Sequence, residues 1–360
     1  MIPYGRQLLD DDDIAAVVAV LKGDWLTQGP AITTFEDEIA RRVGAKHAVA
    51  FANGTAALHA ATLAAGLGPG DVVATAPLTF VASANCARYV GADVVLVDID
   101  PATLLLDPAS VPPCDALVAV HYAGLPVDLA ALRERPRVII EDAAHALGAV
   151  TPDGPVGNCA RSDMCMFSFH PVKHVTTGEG GMLTTNSDEL ADRLRRIRSH
   201  GTVPKPENGG WYYEVVDLGY NFRLTDIQAA LGTSQLQKLD HFVATRNGLA
   251  DRYRELLAGD DIELPPPAPD GTRHAYHLFP IRVEGRRFVY EHLRAAGIGV
   301  QVHYVPVHHH PAFHHLGPPD RYPETERAYA GLLSLPMFPA LTTDDQDKVI
   351  MALRDALAAR

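Results

Sequence analysis

Three short stretches carry residue types able to do chemistry. In Phe167–Gly181 (FSFHPVKHVTTGEGG), Lys173 follows an apolar strand and precedes a Thr/Gly-rich turn. That places its amine at the carboxyl edge of a sheet, where open α/β folds bind ligands. A lysine held in a dry site loses charge readily, and the neutral amine condenses with carbonyl carbons. Taken alone, the stretch also reads as a loop with a surface lysine. In Val138–Gly148 (VIIEDAAHALG), Glu141 and Asp142 end an apolar run and His145 follows three positions later. A carboxylate there can bind a metal, a ribose hydroxyl or a protonated heterocyclic nitrogen, or it can simply cap the next helix. In Ala52–Ala57 (ANGTAA), Gly54 and Thr55 open a helix whose first N–H groups and dipole favour an anion. The stretch matches neither GxxxxGK[ST] nor GxGxxG, which weakens the usual nucleotide-binding readings. In combination the three are far more specific. An anion cradle, an acid at a strand end and a later lysine are what pyridoxal phosphate needs: a phosphate anchor, a partner for the pyridine nitrogen and an amine for the aldehyde.

These groups must be positioned by a sheet. Apolar runs at His47–Phe51, Val72–Thr75, Ala92–Asp98, Ala116–His121, Val138–Glu141, Met164–Phe169 and Gly181–Thr185 predict seven strands. Runs such as ALVAV lack polar alternation, as expected of mainly parallel strands covered on both faces. Helices are predicted at Thr55–Ala65 and, with Ser187 as N-cap, at Asp188–Arg198. Lys205–Gly210 (KPENGG) reads as a break. Leu224–Leu257 reads as a long helix, continuous or interrupted, ended by the proline-rich Pro265–Pro269. HLFPIRV, FVYEHLRAAG, GVQVHYVP and a helix over Asp344–Ala358 then predict a small α/β domain. The expected division is residues 1–240 for an N-terminal segment with a large ligand-binding domain, and 241–360 for the small domain.

Composition sets the outer bounds. Over 360 residues, 31 Lys and Arg against 44 Asp and Glu give a net charge of −13, which disfavours a partner bound mainly through phosphate neutralisation, such as nucleic acid. No apolar segment reaches the ~18 residues of a membrane span, and the N-terminus has no signal-peptide pattern, so a cytoplasmic location is expected. Cys86, Cys114, Cys159 and Cys165 form no CxxC pair and read as buried free thiols. His308, His309, His310, His314 and His315 form a run in a proline-rich loop, read as polar and without metal, because metal ligands need convergent geometry.

The order WLTQGP (from Trp25), NGTAAL (Asn53), PLTFVASAN (Pro77), EDAAHALG (Glu141), FSFHPVKHVTTGEGG (Phe167), GYNFRLTDIQAALG (Gly219) and HYVPVH (His303) resembles the DegT/StrS-type nucleotide-sugar aminotransferases along nearly the whole chain. The resemblance implies the aspartate aminotransferase-like fold (type I): a large domain with a mainly parallel mixed sheet and a small C-terminal α/β domain. It implies pyridoxal 5'-phosphate as cofactor, L-glutamate and a nucleotide-linked ketosugar as substrates, and a homodimer with shared active sites. Lys173 falls where the family has its Schiff-base lysine, and Asp142 where it has the pyridinium partner. Gly54, Thr55 and Ser168 match phosphate-holding residues, Phe80 an aromatic packed on the ring, and His145 a Gln or His beside it. Asn221 resembles a residue that reaches the neighbouring subunit's phosphate. Tyr304 and His308 lie in a motif used near the sugar or nucleotide, and Trp25 and Thr27 are candidates from the N-terminal segment. Arg223 reads equally as a carboxylate-binding fork or as a structural arginine. His170 and His174, beside Lys173, are possible supporting groups. Some members carry histidine in place of the lysine and catalyse dehydration; the lysine here favours transamination. VHYAGLPVD, DAAHALG, IRSHG and HYVPVH look most like the subgroup that aminates UDP-4-keto-6-deoxy-N-acetyl-L-altrosamine on the route to pseudaminic acid.

Overall fold

The computed structural model describes residues 1–360. The first five strands are β1 (His47–Phe51), β2 (Val72–Thr75), β3 (Asp93–Leu96), β4 (Ala116–Val120) and β5 (Val138–Asp142). A two-residue hairpin, β6 (Val150–Thr151) and β7 (Gly154–Pro155), precedes β8 (Met164–Ser168) and β9 (Gly181–Thr185). Seven of these make one sheet in the order β1-β9-β8-β5-β4-β2-β3. Only β9 runs antiparallel to its neighbours, so β1, β8, β5, β4, β2 and β3 all end on the same edge. Each of the seven predicted strands is present: β1, β2 and β9 with the predicted bounds, β3, β4 and β8 shortened by one to three residues, and β5 longer by one.

Both faces of the sheet are covered, which is why its central strands read as unbroken apolar runs. Along β1, Val49 and Phe51 join one buried cluster while Ala48 and Ala50 join another. Helices α1 (Asp11–Leu21) and α2 (Pro30–Val43) precede the sheet, and α3 (Gly54–Ala64), α4 (Ala82–Tyr89) and α5 (Asp188–Arg198) alternate with it. The alanines of α3 let it lie close on the sheet, and Asn53 caps it by accepting from Ala56 N–H at 2.8 Å. Ser187 caps α5 as predicted, with acids in the first turn and arginines in the last, which suits the helix dipole.

Two predicted elements differ from the structure, and the interruption allowed for in a third is present. The proline/glycine break at 205–210 is the tip of a hairpin, β10 (Thr202–Pro204) with β11 (Tyr213–Val215), because its short flanks pair with each other. The helix predicted over 224–257 is two helices, α6 (Asp226–Leu236) and α7 (Leu239–Leu256). No proline or glycine marks the break; Lys238 there is pinned by Asp10 and Asp13, a tertiary contact invisible locally. GVQVHYVP makes only an isolated antiparallel bridge, Gln301 to Ser334, and beyond it the His303 carbonyl accepts from the Tyr122 hydroxyl at 2.5 Å while the His303 ring pairs with Ser334 Oγ at 2.9 Å. The strand that pairs with β12 (Phe279–Arg282) is instead β13 (Leu332–Leu335), antiparallel to it.

The C-terminal part adds α8 (Arg286–Ala295), α9 (Pro323–Gly331) and α10 (Thr343–Ala359). Its core joins Tyr253, Phe279, Ile281, Leu293, Leu335 and Leu353. Helix α7 serves both cores: Leu239 and Val243 pack with the large sheet, Leu249 and Tyr253 with the C-terminal cluster. The 240/241 position therefore lies inside α7. Three of the four free cysteines are buried, whereas Cys114 is only partly covered.

The packing of α6 on α2 tests this arrangement. A Cβ at Gly232 would lie 2.6 Å from Phe35 Cζ and 2.8 Å from Thr177 Cγ2, with Phe35 itself fully buried. Gly232→Ala is expected to destabilise the fold by about 1–3 kcal/mol through overpacking, although propensity alone favours alanine by about 1 kcal/mol. Urea unfolding measures it; an unchanged or raised midpoint contradicts the packing described.

Candidate active site

The carboxyl ends of the parallel strands open into a cavity of about 570 Å³, inside the ~300–1,000 Å³ range of small-molecule and cofactor sites. The structure brings Gly54, Thr55, Phe80, Asp142, His145, Ser168, Lys173 and Tyr304 to its wall.

The two acids of β5 separate because successive strand residues face opposite sides. Glu141 points away from the cavity into a buried network, accepting from Ser162 Oγ at 2.5 Å and pairing with His121 Nε2 at 2.7 Å. Asp142 faces the cavity. Its Oδ2 accepts from Ser83 Oγ at 2.6 Å and its Oδ1 from Ala144 N–H at 3.2 Å. A turn rather than a helix follows it, so capping does not account for this carboxylate.

At the end of β1, Asn53 caps α3, leaving the first-turn N–H groups of Gly54 and Thr55 aimed at the cavity with the positive end of the helix dipole. Ser168, ending β8, stands opposite. A Cβ on Gly54 would meet Ser168 Cβ and Met166 Sδ at 3.2 Å, so a side chain there would crowd the cradle. Gly181 is tighter: its Cβ would sit 2.5 Å from the Asn53 carbonyl oxygen, so the backbone of β9 presses directly on the helix start.

Lys173 lies in the turn after β8, its N–H bonded to the His170 carbonyl at 2.8 Å. Burial lowers its amine to about 8; the Asp142 charge opposes that shift and the Arg246 charge adds to it. Arg246, on α7, is wholly buried and donates to the carbonyls of Tyr276 (3.1 Å), His277 (3.3 Å) and Met337 (2.8 Å). It thereby ties the C-terminal segments to the floor of the site.

Histidines line that floor. His145 Nε2 pairs with Tyr304 Oη at 3.0 Å, and its ring centroid lies 4.3 Å from that of His277. Burial, then the positive charge of Lys173, holds both imidazoles well below the usual histidine range. His303 is pushed down to about 3 for the same reasons. His174 is buried and spends Nε2 on the Ala275 carbonyl at 2.8 Å, a structural role, whereas His170 borders the cavity. Nδ1 of His145 and Nδ1 of His277 are buried without a protein partner. Unpaired buried polar atoms of this kind ask for a polar ligand. With the N–H cradle and the acid, they fit the phosphate, pyridine nitrogen and ring oxygen of pyridoxal phosphate.

Five candidates lie outside this cavity. Trp25 and Thr27 are exposed; Thr27 bridges to Thr225 along the backbone. Asn221 is exposed and bridges to Ser199. Arg223 donates to Ser199 Oγ at 3.2 Å and lines a separate cavity of about 180 Å³ with Glu36 and Arg198. His308 is buried against Tyr322 and paired with Glu326, away from the cavity. Its neighbours in HYVPVH turn inward instead. Conversely, sequence reasoning missed Tyr4, Thr79, Ser83, Glu179, His277 and His303. Ser83 sits 59 positions from the acid it serves, and no spacing rule reaches that far. His303 was within reach, being part of a motif already noted for Tyr304.

Residues 7–354 match the DegT/DnrJ/EryC1/StrS aminotransferase family. The spore coat polysaccharide biosynthesis protein SpsC of Bacillus subtilis is 39% identical over 377 aligned positions, covering 98% of this chain and 96% of that protein. Among solved structures, the putative sugar aminotransferase Spr1654 from Streptococcus pneumoniae in its PMP form superposes with a TM-score of 0.93 at 27% identity, covering all of both chains. Helicobacter pylori PseC, an aminotransferase involved in the biosynthesis of pseudoaminic acid, superposes with a TM-score of 0.91 at 29% identity, again covering all of both chains. The chain is therefore a member of the DegT/DnrJ/EryC1/StrS aminotransferase family and, with it, a pyridoxal-phosphate-dependent sugar aminotransferase.

Proposed function

We propose that this protein transfers the amino group of L-glutamate to a 4-keto-6-deoxy nucleotide sugar, UDP-4-keto-6-deoxy-N-acetyl-L-altrosamine, with Lys173 as the catalytic residue. One observation carries the reading of the chemistry: Lys173 and Asp142 face the same cavity, the lysine desolvated and the acid held by Ser83.

Bound pyridoxal phosphate supplies an electron-withdrawing ring that stabilises negative charge at the donor's α-carbon. The chain does the rest. Gly54 and Thr55 N–H groups and the Ser168 hydroxyl hold the phosphate. Asp142 would partner the pyridine nitrogen, and the Ser83 hydroxyl aims its carboxylate. Phe80 and His145 line the cavity where the ring would lie. Lys173 would hold the cofactor aldehyde through its amine, and that amine, when free, is placed to take and return the donor's α-proton. An amine titrating near 8 suits both directions of that transfer near neutral pH. Neutral histidines around it do not compete for the proton. Tyr304, anchored by His145, lines the same cavity and is a candidate contact for the sugar.

The PseC resemblance supports the substrate assignment. The higher identity to SpsC supports a second reading, amination of another UDP- or dTDP-linked ketosugar. Trp25, Thr27, Asn221 and Arg223 all lie outside the chain's own cavity, while Trp211 and Leu218 expose 83% and 86% of their surfaces. These features support a homodimer in which Asn221 completes the neighbour's phosphate site.

Lys173→Ala is expected to abolish turnover and the borohydride-reducible attachment of the cofactor; retained turnover removes the lysine from the mechanism. In stripped protein, covalent capture of the cofactor aldehyde requires the neutral amine. Its rate should rise with pH and level off above about 8, rather than climbing toward the ~10.4 of a free lysine. Ser83→Ala deprives Asp142 of a charged hydrogen bond worth about 1.5–3 kcal/mol and should weaken cofactor retention on dialysis by at least tenfold. Mixing inactive Lys173→Ala with an inactive Asn221 variant should restore activity through hybrid dimers, and no restoration refutes shared sites. Incubation with glutamate and a panel of enzymatically made UDP- and dTDP-ketosugars, with the product identified by NMR, separates the two substrate readings.

A further inference from the structure

The histidine run does not behave as a uniformly polar loop. His308 and His309 sit on one 3-10 turn, and their Nε2 atoms converge on a single oxygen, Glu326 Oε1, at 2.8 and 2.7 Å. The other histidines stand apart: His314 Nε2 turns back to the His309 carbonyl at 3.0 Å, and His315 is exposed. Both sides of the cluster are fixed independently. The turn is held by Val307 N–H on the Pro77 carbonyl at 2.9 Å. Glu326 lies in the first turn of α9, whose start is clamped by Asp98 through Glu324 N–H, Thr325 N–H and Thr325 Oγ1 at 2.9, 2.9 and 2.6 Å. His308 is 3% exposed, whereas His309 and Glu326 keep one side open to solvent.

We propose that His308, His309 and Glu326 bind a divalent transition-metal ion of the zinc class, with water in the remaining position. Two imidazoles and one carboxylate suit zinc, cobalt or nickel, and not magnesium or calcium, which prefer oxygen ligands throughout. The three donor atoms lie within 4.8 Å of one another. A tetrahedral ion about 2.0–2.1 Å from each ligand holds them about 3.4 Å apart. The present pairs must therefore open by little more than half an ångström, a shift within reach of the two half-exposed side chains. Both rings bind in their neutral form, each moving its proton from Nε2 to Nδ1. His308 Nδ1 has no partner, and a missing outer-shell acceptor weakens such sites about 10–100-fold, so micromolar rather than nanomolar affinity is expected. None of the three residues lines the cofactor cavity. The ion would staple the 307–309 turn to α9, stabilising the chain segment that carries His303 and Tyr304 without entering the chemistry.

The test uses untagged holoenzyme freed of metal by chelation and then of the chelator. Zinc chloride is titrated in competition with a chromogenic chelator, with thermal unfolding followed in parallel. One equivalent should bind and raise the melting temperature. Glu326→Gln and His309→Ala should each weaken binding at least tenfold and remove the thermal shift, while His314→Ala/His315→Ala should bind as before. Failure to take up one saturable equivalent overturns the proposal. So does equal binding in Glu326→Gln and His309→Ala, or loss of binding in the His314/His315 variant, which would assign the zinc to surface histidines.

Discussion

The site depends on one electrostatic arrangement: a desolvated amine and a buried carboxylate sharing a cavity that neither can leave. Burial alone drives Lys173 toward neutrality. The charge of Asp142 offsets that in part, raising the lysine against the burial effect. Ser83 and the Ala144 N–H add two hydrogen bonds to the charged form of the acid. The surrounding imidazoles stay neutral, so no second cation reaches the acid from the side chains of the floor.

That arrangement requires strand register more than local chemistry. Glu141 and Asp142 are identical in charge and adjacent in sequence, yet the pleat sends one into a structural network with His121 and Ser162 and the other into the cavity. A slip of one residue would exchange them. Full burial of β4 and β5 on both faces makes such a slip costly, and the close approach of Gly181 to the Asn53 carbonyl fixes the cradle relative to the same sheet.

What was legible in the sequence follows from this. The strands were readable because two-sided burial writes itself as uninterrupted apolar runs, and the cradle, acid and lysine were readable because each sits at a strand end. Contacts between distant segments were not. The α6/α7 break falls where Lys238 meets Asp10 and Asp13, more than 220 residues away. GVQVHYVP has a strand's composition, yet its pairing stops at the single Gln301–Ser334 bridge, after which His303 bonds to the Tyr122 and Ser334 side chains. His308 shares a motif with Tyr304, but the three residues between them suffice to turn one toward Glu326 and the other toward His145.

The cavity is thus assembled from two sources with different mechanical properties. The sheet edges supply the cradle, acid and lysine on rigid elements. Tyr4, His277, His303 and Tyr304 come from segments tied to the C-terminal part of the chain. Arg246 is the link between the two, a buried cation with only backbone carbonyls for partners, reaching from α7 to residues 276, 277 and 337. Because α7 packs its first half with the large sheet and its second with the C-terminal core, any displacement of that core must strain this helix or break the Arg246 bonds. A guanidinium so placed costs desolvation energy that a methionine would not. It is compensated by holding the histidine floor at a fixed distance from Lys173 while adding positive potential that keeps the amine neutral.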